Sequence, residues 1–124
     1  MELELAKTRL NTMTEASCIF CKIVSGDISS DLIAETANLI AFKDIAPLAK
    51  VHLLAIPKKH YRDVAELSAS NPAQLSELMS LAVKLAGEYT NGSFKLQFNT
   101  GAGAGQTIFH AHAHVLSENP KDGS

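Results

Sequence analysis

Between Ile108 and Leu116 imidazole and apolar side chains alternate without a break: His110, His112 and His114 take one parity, Phe109, Ala111, Ala113 and Val115 the other. A period of two belongs to a β-strand, where residues i, i+2 and i+4 share a face, so the three imidazoles are predicted to line one wall. On a helix His112 would point away from its neighbours, and Ile108, Phe109 and Val115 also favour a strand. Residues 32–35 and Leu39–Lys43 read as short strands about a turn at Ala37-Asn38, and residues 51–56 as another stopped by Pro57. Over residues 94–99, Phe94, Leu96 and Phe98 alternate with Lys95, Gln97 and Asn99 to give one more.

The periodicity changes once, clearly. In Pro72–Tyr89 the apolar positions Leu75, Leu78, Met79, Ala82, Leu85, Ala86 and Tyr89 repeat at three and four, as on one face of a helix. Asn71 is its candidate N-cap, Pro72 suits the first helical position and Gly92 marks the exit. Residues 61–67 predict one or two helical turns. Five short strands with short connections, one long helix and one short helix predict an α+β fold on a mostly antiparallel sheet.

Composition narrows the class without naming a function. A chain of 124 residues with 46% hydrophobic content suits one domain of modest core. Residues 1–16 precede every motif and are read as an N-terminal extension, with Met13 a plausible alternative start; the domain is assigned to residues 17–124. A net charge of -2 and a pI near 6.2 supply no basic field for nucleic acid. No apolar stretch reaches the roughly 18 residues of a membrane span and no secretory h-region opens the chain, so a cytoplasmic protein is expected.

Three rings of near-neutral pKa on one wall suit acid, base or nucleophilic work. A metal site built from the triplet alone fits less well, because same-face strand neighbours stand about 6.6 Å apart against a Zn–N bond of about 2.0 Å. A purely structural reading leaves their strict alternation unexplained. Ahead of them, Gly101-Ala102-Gly103-Ala104-Gly105-Gln106-Thr107 places three glycines at alternate positions, where main-chain N–H groups can turn toward an anion. It is neither a Walker loop nor a dinucleotide turn. Asp44, after the strand Leu39–Lys43, is either a strand-end turn residue or a carboxylate able to accept from a cis-diol. Cys18 and Cys21 form CxxC, either half of a zinc site or two reduced thiols.

His-φ-His-φ-His-φ-φ, complete over residues 110–116, resembles the signature of the histidine triad (HIT) nucleotide hydrolases and transferases. The likeness spans about residues 17–116: Cys18-Ile19-Phe20-Cys21-Lys22-Ile23, Ala41-Phe42-Lys43-Asp44-Ile45, Val51 through Lys59-His60, and Asn99 through Gly105-Gln106-Thr107 fall in family order. The resemblance implies that Asp44 grips the ribose hydroxyls and that Ile19, Phe20, Ile23, Ile28, Phe42 and Ile45 form a purine pocket. It also implies that Asn99, the backbone around Gly105 and the hydroxyl of Thr107 meet the α-phosphate or leaving group, with Gln106 part of the same nucleotide-binding loop.

The activity so implied is a Hint-like, adenosine 5'-monophosphoramidase-like hydrolase. Neutral His112 attacks the α-phosphorus of a purine nucleoside phosphoramidate, and water cleaves the nucleotidyl-histidine. His114 stabilises charge on the phosphate, while His52 and His110 support orientation and proton transfer. No metal or other cofactor is required for this chemistry. In some similar bacterial proteins a CxxC, the first triad histidine and a further histidine hold zinc; the position equivalent to the latter is read here as Asn38, a poor ligand, which weakens the case for structural zinc at Cys18 and Cys21. A homodimer is expected, pairing the long helix and residues 94–99, with a purine nucleotide as ligand and no nucleic-acid or membrane partner. Ser117-Glu118 and the eight residues after Leu116 depart from a common Gly-Gly-Arg continuation, which leaves leaving-group selectivity open. A dinucleoside polyphosphate hydrolase and a nucleotide-binding scaffold without turnover are the competing readings.

Overall fold

Residues 17–123 are described by the computed structural model; the expected extension over residues 1–16 lies outside the described residues. Strands β1 (Asp31–Glu35), β2 (Leu39–Lys43), β3 (Val51–Pro57), β4 (Lys95–Gln97) and β5 (Ala113–Ser117) form one sheet in the order β1-β2-β3-β5-β4, every pair antiparallel. Among the described residues three α-helices, α1 (Ile19–Ser25), α2 (Val64–Ser70) and α3 (Pro72–Tyr89), complete the expected α+β layer.

Alternation decides what covers each side of the sheet. Leu39, Ala41, Leu53, Ala55, Ala113 and Val115 face Leu67 of α2 and Leu78, Ala82, Leu85 and Ala86 of α3 in the larger core. The opposite parity, Ile40, Phe42, Leu54 and Ile56, packs against Phe20 of α1. Both faces of β2 and β3 are therefore dry, which is why their sequences read as unbroken apolar runs. Truncating Leu78, with no exposure at all, would cost about 2–5 kcal/mol.

Helix α3 has the predicted limits, with Asn71 Oδ1 accepting the Gln74 N–H at 3.1 Å. Helix α2 starts three residues later than the apolar spacing predicts. Asp63 accepts the Glu66 N–H at 2.9 Å and Glu66 reaches back to the Arg62 N–H at 2.6 Å, a reciprocal cap that outweighs the periodicity. Helix α1 was not predicted: Ile, Phe, Cys and Val are middling helix formers, and its cap is the Cys18 thiol, which accepts the Cys21 N–H at 3.4 Å. Gly26, at φ 88°, ends it.

Two strands are shorter than the alternation suggests. β4 pairs only over Lys95–Gln97, and in residues 108–116 the ladder begins at Ala113. Of the three histidines only His114 lies within a strand. Upstream, the chain leaves the sheet and Ala111 N–H donates instead to Tyr61 O at 2.7 Å.

Candidate functional site

A cavity of about 220 Å³ opens on the α1 side of the sheet, and the chain's own packing builds it. Ile19, Phe20, Ile23, Ile28, Phe42 and Ile45 line it as expected, together with Asp44, Thr107, His112 and His114. Ser29, Ser30, Lys43, Leu54 and Ile108, which no sequence signal singled out, join them. Leu54 was readable in retrospect, since it is the direct cross-strand partner of His114 and shares its face.

The hydrogen bonds fix which nitrogen of each ring carries a proton. His112 Nδ1 lies 2.6 Å from the carbonyl oxygen of His110, a contact only a protonated Nδ1 can make, so Nε2 of the neutral ring is bare. Burial pushes the His112 pKa below the ordinary 6.5 and so favours that neutral form. His52 is held in the opposite tautomer: its Nδ1 accepts the Leu48 N–H at 3.1 Å, which leaves the proton on Nε2. That Nε2–H stands 3.0 Å from His114 Nδ1 and 3.4 Å from Asp44 Oδ2. Burial, then His112 and His52, lowers His114 to about 4, so it too is neutral near pH 7, accepts at Nδ1 and carries its proton on Nε2. Burial likewise lowers His52, against the opposing pull of Asp44.

The glycine-rich loop is braced from within. Gln106 is buried: its Oε1 accepts the Gly101 N–H at 2.8 Å, and its Nε2 donates to Arg62 O at 2.8 Å and Ile108 O at 3.1 Å. Asn99 Nδ2 donates to Ala104 O at 2.7 Å. Gly105 has φ 88°, a conformation costly to any residue with a Cβ. Asn99, Gly105 and Gln106 thus shape the loop without lining the cavity, and Thr107 is the loop residue that does line it.

His110 departs furthest from expectation. Fully buried, it sits beyond that cavity, with Nε2 2.8 Å from Pro57 O and Nδ1 3.5 Å from both Cys18 Sγ and Cys21 Sγ. His60 Nδ1 lies 3.3 Å from Cys21 Sγ. One ligand atom from each of Cys18, Cys21, His60 and His110 falls within 4.8 Å of the others. Tetrahedral zinc, with Zn–S about 2.3 Å and Zn–N about 2.0–2.1 Å, sets its donors roughly 3.3–3.8 Å apart, so this set fits. Burial alone would raise the Cys18 thiol; bonds from His110, His60 and the Cys21 N–H outweigh it and bring it to about 5, favouring the thiolate a metal needs.

The reading of Asn38 as the position equivalent to the relatives' further histidine is therefore corrected. Asn38 sits in the exposed β1–β2 turn, where its Nδ2 donates to Glu77 Oε1 at 3.3 Å. The fourth donor is His60, carried to the N-terminus of α1 by the chain leaving β3. Its position after Val51 through Lys59 was the available signal, but nothing local ties it to Cys18 and Cys21.

Comparison with known proteins agrees with this geometry. A family model described as "Scavenger mRNA decapping enzyme C-term binding" matches residues 17–124. An adenosine 5'-monophosphoramidase of Schizosaccharomyces pombe is 42% identical over 100 residues, 81% of this chain and 73% of its own. Protein HitA of Neisseria gonorrhoeae is 38% identical over 102 residues, covering 81% and 94% of the two chains. Among solved structures, a HIT family hydrolase from Clostridium thermocellum superposes with a TM-score of 0.77 at 39% identity, covering 82% of this chain and 90% of that one. A histidine triad protein from Clostridium difficile gives a TM-score of 0.78 at 34% identity, covering 84% and 92%. With its triad, its sheet and these relatives in agreement, the chain belongs to the histidine triad (HIT) family of nucleotide hydrolases.

Proposed function

We propose that the protein cleaves purine nucleoside phosphoramidates at the α-phosphate through a nucleotidyl-His112 intermediate. The observation that carries this reading is the 2.6 Å contact from His112 Nδ1 to His110 O, which leaves a bare, neutral Nε2 at the cavity wall. Attack forms a P–Nε2 bond and breaks the P–N bond to the leaving amine, which departs with that electron pair. His114 Nε2–H supplies the proton the amine needs, and the His52 Nε2–H bonded to His114 Nδ1 stabilises the ring that has lost it. Water then displaces His112, returning a proton to His114 Nε2, and releases the nucleoside monophosphate. Asp44, on the wall of the apolar pocket, reads the ribose hydroxyls, and Thr107, the loop residue on that wall, offers its hydroxyl to the phosphate. The named activity of the S. pombe relative supports the choice of substrate class.

Two further assignments belong to this reading. Cys18, Cys21, His60 and His110 hold structural zinc, which would tie α1 to the segment carrying the triad. Supplying no nucleophile, it would act by rigidity. A homodimer forms through α3 and the edge strand β4, a reading supported by exposed Met79 and Val83 on that helix.

The experiment is a rapid-quench reaction with labelled adenosine phosphoramidate, stopped by alkaline denaturation because a phosphorus–imidazole bond is acid-labile. A transient label on His112 is expected. His112→Ala should lower kcat by several orders of magnitude while mononucleotide binding stays within about tenfold. Unimpaired turnover by that variant overturns the assignment.

A further inference from the structure

Cys18 and Cys21 are the only two cysteines of the chain, and their placement allows a second chemistry besides holding a metal. The turn that opens α1 sets their spacing: Lys22 N–H donates to Cys18 O at 3.1 Å, and the Cys18 thiol turns inward to accept the Cys21 N–H at 3.4 Å. One such turn separates the two Cα atoms by about 5 Å, inside the roughly 4.4–6.8 Å that a disulfide spans. The sulfurs converge on one atom, each 3.5 Å from His110 Nδ1, and lie within 4.8 Å of each other. A gap of that size is closed by side-chain rotation and not by movement of the backbone.

The pair is unequal in access. Cys21 is buried, whereas Cys18 is half-buried and lines a cavity of about 270 Å³ with Ser17, His60, Thr107 and Phe109. A cavity of that size admits a molecule little larger than water, which meets Cys18 first and finds Cys21 behind it. The thiolate that binds a metal is also the form of sulfur that attacks a peroxide. The same turn supplies Ile19 and Phe20 to the base cavity, so the oxidisable pair lies on an element that walls the nucleotide site.

We infer that Cys18 and Cys21 form a reversible dithiol–disulfide couple, oxidised by hydrogen peroxide, and that its disulfide form excludes zinc from the cluster. Cys18 thiolate attacks one peroxide oxygen: the S–O bond forms, the O–O bond breaks and hydroxide leaves, giving a sulfenic acid. Cys21 thiolate then attacks the Cys18 sulfur: the S–S bond forms and the S–O bond breaks with loss of a second hydroxide. Each hydroxide takes a proton from solvent, so the two thiolates together give up two electrons and one peroxide becomes two waters. A disulfide keeps no thiolate to donate, and His60 and His110 alone are two donors where tetrahedral zinc needs four. The inference rests on the zinc assignment above for the ion displaced, and not on the phosphoramidate reading.

The test treats full-length reduced protein, zinc-loaded and chelated, with stoichiometric hydrogen peroxide and then with dithiothreitol. Free thiols should fall from two to none, the intact mass should drop by two hydrogens, and peptide mapping should place the bond between Cys18 and Cys21. Dithiothreitol should restore both thiols. Zinc-loaded protein should release one ion to a chromogenic chelator for each disulfide formed, and added zinc should raise the Tm of the reduced protein but not of the oxidised one. Cys18→Ser should slow oxidation of the remaining thiol at least about tenfold, whereas Cys21→Ser should stop at a Cys18 sulfenic acid that dimedone captures. Should either variant fail to fold, the wild-type thiol count decides. Two thiols surviving in the chelated protein, a sulfinic or intermolecular product, or a folded Cys18→Ser variant oxidised as fast as wild type overturns the couple. Zinc retained by the oxidised protein, or a reduced protein that zinc does not stabilise, overturns the exclusion, while the thiol count still decides the disulfide. No arm reads turnover of a phosphoramidate, so either failure leaves the proposed activity standing.

Discussion

Nε2 of His52 lies 3.0 Å from Nδ1 of His114, and the Leu48 N–H on the far side of His52 dictates that the shared proton belongs to His52. The two rings and one main-chain amide form a directed chain ending at His114, which lines the cavity. His52→Ala should leave His114 free to exchange tautomers. We expect kcat to fall at least about tenfold with KM little changed, because the loss is felt where charge develops and not in ground-state binding. ¹⁵N chemical shifts of His114 should show mixed tautomers in the variant and a single one in the native protein. An unaltered His114 spectrum would contradict the chain.

The pH dependence follows from the same burial. His52, His112 and His114 all have folded pKa values below 6.5, His114 near 4. The unfolded chain therefore takes up protons first as pH falls, so these groups contribute stability that is complete above 6.5 and is lost progressively between 6.5 and about 4. The urea midpoint should drop across that window. Turnover should stay level from pH 8 down to the ordinary histidine value of 6.5 and decline only below it, when His112 Nε2 becomes protonated. An acid limb centred at or above 6.5 would mean that the rings are not shielded as the structure has them.

Asp44 has two tasks that substitution will expose together. Its Oδ1 accepts the Ala46 N–H at 2.8 Å, holding the turn after β2, and its Oδ2 faces His52. Asp44→Ala should raise KM for ribonucleotide substrates by about 1.5–3 kcal/mol if two charge-assisted hydrogen bonds to the sugar are lost. A 2′,3′-dideoxy substrate lacks both hydroxyls and should be nearly indifferent. An equal penalty on the dideoxy compound would assign Asp44 to the turn alone.

Zinc should report on the four-donor cluster through stability. A metal at a hundred times its Kd adds about 2.7 kcal/mol to the folded state, a Tm rise of roughly 10 °C for a domain of this size. His60→Ala and Cys21→Ser should each abolish most of that rise. Chelated but folded protein should keep turnover within about twofold, because His112 attacks without a metal. Folded, metal-free protein that is inactive would show that this chemistry needs the ion.

The alternation of residues 108–116, the cap and period of Pro72–Tyr89 and the order of the short strands are local properties, and they were legible in the chain. So was the split between histidine and alanine parities: Ala111, Ala113 and Val115 enter the larger core, as the period of two demands. The pocket residues from Ile19 to Ile45 were named through the family resemblance, since their apolar character by itself marks core as readily as pocket. Two strand lengths were overstated, since alternation marks which side a residue faces but not whether a partner strand is there to pair with it. The reciprocal cap at Asp63 and Glu66 moved the start of α2 for a similar reason, a specific hydrogen bond outweighing a weak period.

Local pattern could not disclose how the histidines divide, although the resemblance had put the first triad histidine beside a CxxC in zinc-holding relatives. His110 looks identical to His112 and His114 in sequence, yet it turns to Cys18, Cys21 and His60 while the other two face the nucleotide cavity. That division depends on where α1 packs and on the path of the chain from β3 to His60, both set by contacts between residues distant in sequence. The tautomers have the same origin: His52 is fixed by a loop amide and His112 by a carbonyl, and neither partner is specified by its side chain. Local pattern determined which residue types share a wall; long-range packing alone decided which atoms on that wall hold protons, because hydrogen-bond partners of the backbone exist only once the fold has closed.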